Sequence, residues 1–162
     1  MKTDLPLVQT LTVLQDSRLI AQIAMGQFAS VSGDVNRMVT HLLLNDHFAL
    51  GYVIGFAEQA STRARYENDQ PNGSAYVSGV VSHMLGNESL VATFLSFATS
   101  QKNDRTFQGG YEVGMGDVNA WCASRGARRP SGLFEYLAPA ASADPMNHFG
   151  SVEGAATGTR ST

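Results

Sequence analysis

The sequence predicts an all-α protein, a compact bundle of about six helices followed by an irregular C-terminal tail. Three observations lead there. Apolar residues recur along most of the chain at the three-, four- and seven-residue intervals of an amphipathic helix. Asp or Asn stands before most of these runs, where its side chain can cap a helix N-terminus. One helical motif also occurs twice: Phe48, Gly51, Tyr52, Gly55 and Glu58 return as Phe107, Gly110, Tyr111, Gly114 and Asp117, each pair 59 residues apart without a gap (107 − 48, 110 − 51, 117 − 58).

The elements follow in chain order. Val8, Leu11, Leu14, Ala21, Met25 and Phe28 form a stripe that predicts one long first helix to Ala29, opened near Thr3 or Asp4 with Pro6 in its first turn. Ser30 to Asp34 breaks it. Asp34 then caps a second helix carrying Val35, Met38, Val39, Leu42 and Leu43, and Asn45-Asp46 offers the cap of a third, the first motif helix, from about His47 to Arg65. Tyr66 to Ser74 (YENDQPNGS) is rich in turn formers and reads as a loop. In Ala75 to Leu85 the residue types Tyr76, Val77, Val80 and Val81 favour strand, but their spacing favours helix, and helix is expected. Gly86-Asn87 is a stop and a new cap before the helix of Leu90, Val91, Phe94, Leu95 and Ala98. Asn103-Asp104 opens the second motif helix, which runs to about Ser124; the basic turn Arg125 to Pro130 ends it, and Ser131 is the expected cap of a short helix through Leu137.

From Ala138 onward Ala, Ser, Gly, Thr and Pro dominate, with too little large apolar surface to offset the entropy of ordering. The predicted organisation is therefore one helical domain over 1–137 and a low-complexity tail over 138–162. With 162 residues, 43% apolar and 15% charged, the chain can bury a core without staples and presents a sparsely charged surface. A net charge of −3 supplies no basic footprint for nucleic acid. Cys122 is the single cysteine, which excludes an intramolecular disulfide and a cysteine-based zinc site. The start of the chain carries an early acid, Asp4, and no continuous apolar core, so no secretory signal is expected. The most apolar stretch, Met38 to Ala57, is interrupted by His41, Asn45, Asp46 and His47, so no transmembrane helix is expected either; the expected setting is cytoplasmic.

In the repeated motif two glycines stand four residues apart inside a helix, and each costs roughly 1 kcal/mol relative to Ala. Gly51, Gly55, Gly110 and Gly114 are accordingly read as helix-packing residues that permit close backbone approach, with a pseudo-two-fold relation between the two Gly-x-x-x-Gly helices. Tyr52, Glu58, Tyr111 and Asp117 share that face and have two readings. Either each tyrosine is packed with its hydroxyl bonded to a neighbouring helix, or tyrosines and acids line a cavity between the repeated helices and bind a ligand. The arginines at the end of the first motif helix, Arg63 and Arg65, and those just past the second, Arg125, Arg128 and Arg129, suit helix C-termini and need no anionic ligand. An exposed glycine face would also allow two copies of the chain to associate.

Gly51 to Ala60 (GYVIGFAEQA) and Gly110 to Ala120 (GYEVGMGDVNA) resemble the G-Y-x-x-G-x-x-D-A helix of small helical immunity proteins that neutralise type VI secretion amidases. The likeness covers about one helix per copy. What it implies is a small helical protein that binds and blocks another. The chain departs from that family in lacking paired cysteines and a signal peptide, so a periplasmic setting is not implied.

Signals for chemistry are sparse. His41, Asp46 and His47 are close in sequence, but His41 and His47 are six residues apart and do not share a helix face, and no H-E-x-x-H spacing occurs. His83 and His148 stand apart. Cys122 beside Trp121 reads as a packed residue at a helix end. No nucleophile elbow, phosphate loop or dinucleotide fingerprint is present, and neither metal nor cofactor is expected. The leading functional expectation is a helical protein-binding module, an inhibitor, immunity or adaptor factor without catalysis. The alternatives are a small enzyme or ligand-binding protein using a cavity between the repeated helices, and a structural subunit whose tail reaches a neighbouring copy.

Overall fold

The computed structural model describes residues 16–31, 33–68 and 73–142. These residues form seven α-helices and one short 3-10 turn, with no strand among them. The helices are α1 (Ser17–Ala29), α2 (Val35–Asn45), α3 (His47–Asn68), α4 (Gly73–Leu85), α5 (Val91–Ser100), α6 (Arg105–Ala123) and α7 (Gly132–Ser142); the 3-10 turn, Glu88–Leu90, leads into α5. Every segment expected to be helical within the described residues is helical, the ambiguous valine-rich stretch of α4 included.

Most helix starts are set by the side chain just before them. Asp34 accepts from the Arg37 amide, Asp46 from that of Ala49 at 3.0 Å, and Asp104 from that of Phe107 at 2.9 Å. That amide bond is the main reason the Asp104 carboxyl lies below its ordinary pKa, with His47 at 3.4 Å adding to it. Asn87 accepts from the Ser89 amide, and Gly86 before it takes a φ of +62°, the left-handed turn at which glycine ends a helix cheaply.

Four boundaries differ from the sequence expectation. The single long first helix does not hold: α1 starts at Ser17 because Asp16, in extended backbone, accepts from the Arg18 amide at 2.9 Å, and residues 1–15 lie outside the described ones. α3 runs on to Asn68 and α4 begins at Gly73, so the loop is shorter than its composition suggested. α7 continues past Leu137 to Ser142, since Ala138, Ala140 and Ala141 are the best of helix formers. Residues 138–142 are therefore helix, not tail; 143–162 lie outside the described residues. Finally, Ser131 does not cap α7 through its hydroxyl, which donates to Glu135 instead.

α3 is the central helix. Ala49, Leu50, Tyr52, Val53, Ile54, Phe56 and Ala57 are all buried, so α3 is covered on every side in its first three turns. Its packing partners are α1, α2, α4, α5 and above all α6, with which it makes the largest interface of the described residues. Ile20, Ala24 and Phe28 of α1, Val80, Val81 and Met84 of α4, Phe94 of α5 and Leu133 of α7 complete the core. No described helix is long and apolar enough to cross a membrane.

Candidate functional site

The two motif helices cross through their glycines, and the contacts are exchanged one for one. A methyl group added at Gly51 would run into the carbonyl of Phe107, and one added at Gly110 into that of Phe48. Gly55 stands against the carbonyl of Tyr111 and Gly114 against that of Tyr52 in the same way. Contacts advance together along both helices, so α3 and α6 run parallel. All four glycines expected to be packing residues thus lie at backbone-to-backbone contacts within one chain, and the face they form is not available to a second copy. Gly109 and Gly116, also in α6, have open space where a side chain would stand.

The tyrosines and acids are exchanged as well. Tyr52 donates its hydroxyl hydrogen to Asp117 Oδ2 at 2.6 Å, and Tyr111 donates to Glu58 Oε2 at 2.5 Å. The four residues proposed to line a cavity between the helices therefore bind one another in two crossed pairs, and the space between α3 and α6 is filled by backbone.

The surroundings of the two pairs differ. Tyr52 is fully buried, and its hydroxyl also accepts from Gln27 Nε2 of α1 at 2.8 Å. Burial, then the bond to Asp117 and that residue's charge, raises the Tyr52 phenol far above its ordinary value. Asp117 Oδ2 accepts in addition from the backbone amides of Ser131 and Gly132, at 3.1 and 2.8 Å, while Gln27 Oε1 accepts from those of Leu133 and Phe134, at 3.0 and 3.1 Å. The open amides at the start of α7, which Ser131 was expected to help satisfy, are thus taken by side chains of α1 and α6. Gly132 fits because a methyl group there would crowd Val113, Asp117 and Tyr52.

On the other side, Tyr111 is half-buried and its phenol is pushed up to about 12, by burial first and the Glu58 bond second. Glu58 Oε1 has no protein donor among the described residues. This carboxylate opens instead on a cleft of about 420 Å3. The cleft is lined by Ile54, Glu58, Ser61 and Thr62 of α3, by Gly73, Ser74 and Val77 of α4, by Leu95, Ala98 and Thr99 of α5 and by Phe107 of α6, with Lys102 from the α5–α6 turn. The hydroxyls of Thr62 and Thr99 donate to the carbonyls of Glu58 and Leu95, so they offer their lone pairs to the cleft.

The same 59-residue offset relates the two environments. Val113, Asp117 and Tyr52, which receive the first turn of α7, correspond to Ile54, Glu58 and Tyr111 (113 − 59, 117 − 59, 52 + 59), and Gly132 corresponds to Gly73 (132 − 59). Ile54, Glu58 and Gly73 all line the cleft. Where the first turn of α7 donates to Asp117, Glu58 and the first turn of α4 line a cleft instead. The Ile54–Val113 and Gly73–Gly132 matches were legible by extending the repeat beyond the motif. Gln27 left a fainter signal, a polar residue between Ala24 and Phe28 on the apolar face of α1.

The remaining candidates are structural in their contacts. Arg63 binds Asn119 Oδ1 through Nε and Nη2, at 3.2 and 2.6 Å, beside Gln59, which donates to the same oxygen at 2.8 Å. His41 and Asn45 pair on α2, and His47 faces Asp104. Trp121 is buried and Cys122 half-buried. Among the described residues no group of three or more His, Cys, Asp or Glu side chains is placed to hold a metal. Comparison with protein-family models, curated proteins and solved structures gave no match. The likeness of the G-Y-x-x-G helix to amidase immunity proteins rests on its own residues alone.

Proposed function

We propose that this protein is a helical binding module whose recognition site is the cleft beside the Tyr111–Glu58 pair. One observation carries the reading: of two crossed tyrosine–carboxylate pairs, one is closed by the start of α7, whereas the other presents a carboxylate to a cleft of about 420 Å3. That volume falls within the ~300–1,000 Å3 of small-molecule sites, and the lining is shared evenly between apolar and polar groups. Ile54, Val77, Leu95 and Phe107 supply the apolar surface, and Glu58, Lys102 and the threonine hydroxyls supply direction. A cytoplasmic setting belongs to the same reading, as does function through binding and not catalysis.

The test is a map of backbone amide shifts in the full chain during titration with a panel of neutral aliphatic and aromatic fragments. Saturable shifts at 54–62, 73–77 and 95–102 support the site; a panel that moves none of these amides removes it.

A second reading, a protein-binding inhibitor, immunity or adaptor factor, is favoured by a different surface. Phe134 and Tyr136 of α7, Val113 of α6 and Leu44 of α2 are 38–40% exposed, large apolar groups on an otherwise well-buried apolar set. Tyr136 stacks on Phe48 with ring centroids 4.0 Å apart and donates to Asp46, which fixes this face rigidly. If a partner docks there, Phe134→Ser with Val113→Ser abolishes its capture and leaves fragment binding in the cleft intact.

A further inference from the structure

The two crossed pairs also indicate what the cleft receives. Against Asp117 sit N–H donors, the backbone amides of Ser131 and Gly132. Glu58 is the counterpart of Asp117 at the 59-residue offset, and its side chain lines the cleft. A group that satisfies it is a donor, and a charged donor satisfies it best, since charge-assisted hydrogen bonds are roughly twice as strong as neutral ones. A plain cation is not the whole answer, because Lys102 lines the same cleft and repels a ligand that is positive throughout. No ion pair joins Glu58 to Lys102 among the described residues, so both charges stay available to a guest. Val77, Leu95 and Phe107 line the same cleft and offer apolar surface to a side chain.

We infer that the cleft binds a zwitterion of the amino-acid class, a free apolar α-amino acid or a short apolar peptide, with its ammonium on Glu58, its carboxylate on Lys102 and its side chain over Val77, Leu95 and Phe107. The inference rests on the cleft being the recognition site. Opposite charges lining one cleft select such a ligand over either half of it. An amine leaves Lys102 uncompensated, and an acid meets Glu58 with like charge.

The experiment uses the full chain, labelled for amide shift mapping, and four probes: L-leucine, the dipeptide Leu-Leu, isopentylamine and 4-methylpentanoate. Saturable shifts at the cleft amides with leucine or the dipeptide, at least about tenfold tighter than with the amine or the acid, bear the inference out. Leucine against dipeptide separates the two sources of the same chemistry. Glu58→Gln should weaken the zwitterion about tenfold or more while its amide oxygen still accepts from Tyr111, and Lys102→Met should do the same. Tyr111→Phe, which removes the bond but keeps the carboxylate, should retain binding. Equal affinity for amine and zwitterion, or indifference to Lys102→Met, overturns the ligand class while neutral-fragment shifts in the cleft leave the site standing. Shifts from none of the zwitterions or fragments overturn both.

Discussion

The Tyr52 hydroxyl donates to Asp117 at 2.6 Å across the crossing of two parallel helices, from a side chain with no exposed surface. Tyr52→Phe removes that donor and at the same time leaves Gln27 Nε2 without its acceptor in the core. A buried group left unpaired costs about 1–3 kcal/mol, so a loss near 2 kcal/mol is expected in denaturant unfolding. Tyr111→Phe breaks the matching bond to Glu58 in a half-buried place and should cost well under that, about 0.5–1 kcal/mol. Equal costs for the two would contradict the difference in burial.

The glycines give a sharper contrast. Ala at Gly51 or Gly110 gains about 1 kcal/mol of helix propensity but forces a methyl group into a backbone carbonyl, which cannot move as a side chain can. Overpacking costs about 1–3 kcal/mol and more where backbone must shift, so a net loss near 2 kcal/mol is expected. Gly109→Ala and Gly116→Ala meet open space and should be neutral or stabilising by up to about 1 kcal/mol. Unfolding curves of these four variants decide the point.

Gln27→Leu keeps the volume of the side chain close to constant and strips both of its roles. The amides of Leu133 and Phe134 lose their acceptor, and Tyr52 loses a donor. Hydrogen exchange in the first turn of α7 should speed up by tenfold or more, while exchange in α4 and α5 changes little. Uniform acceleration through all helices would show global destabilisation instead of a local release.

Tyr111 makes stability depend on alkaline pH. Its folded pKa of about 12 lies above the 10.0 of an unfolded tyrosine. The folded state then holds its proton more tightly, so the contribution is complete below pH 10 and is lost as pH rises toward 12. Tyr52, raised further by burial, acts in the same direction. Tyrosinate absorbance should show one group titrating near pH 12 that disappears in Tyr111→Phe. A transition near 10 for that residue would contradict both its burial and its bond to Glu58.

The helices were legible because their signals are local. Asp34, Asp46, Asn87 and Asp104 each sit within three residues of the amide they cap, and the four motif glycines announce close packing by the cost they carry inside a helix. The tyrosine–acid pairing was one of two open readings, because sequence gives a helix face but not what lies opposite. Gln27 showed only as a polar residue on an apolar face, because its partners on α7 are 106 and 107 residues away in sequence. Ser131 was misread for the same reason, since Asp117 and Gln27 reach its helix first. The cleft is a product of how α3, α4, α5 and α6 pack together, which the spacing along one helix does not encode.

The parallel pairing of α3 with α6 has a consequence during synthesis. A nascent chain that has emerged as far as Ser100 holds the central helix complete, yet lacks the α6 backbone that covers Gly51 and Gly55. The central packing therefore depends on contacts between residues far apart in sequence, which can form only once α6 has been made.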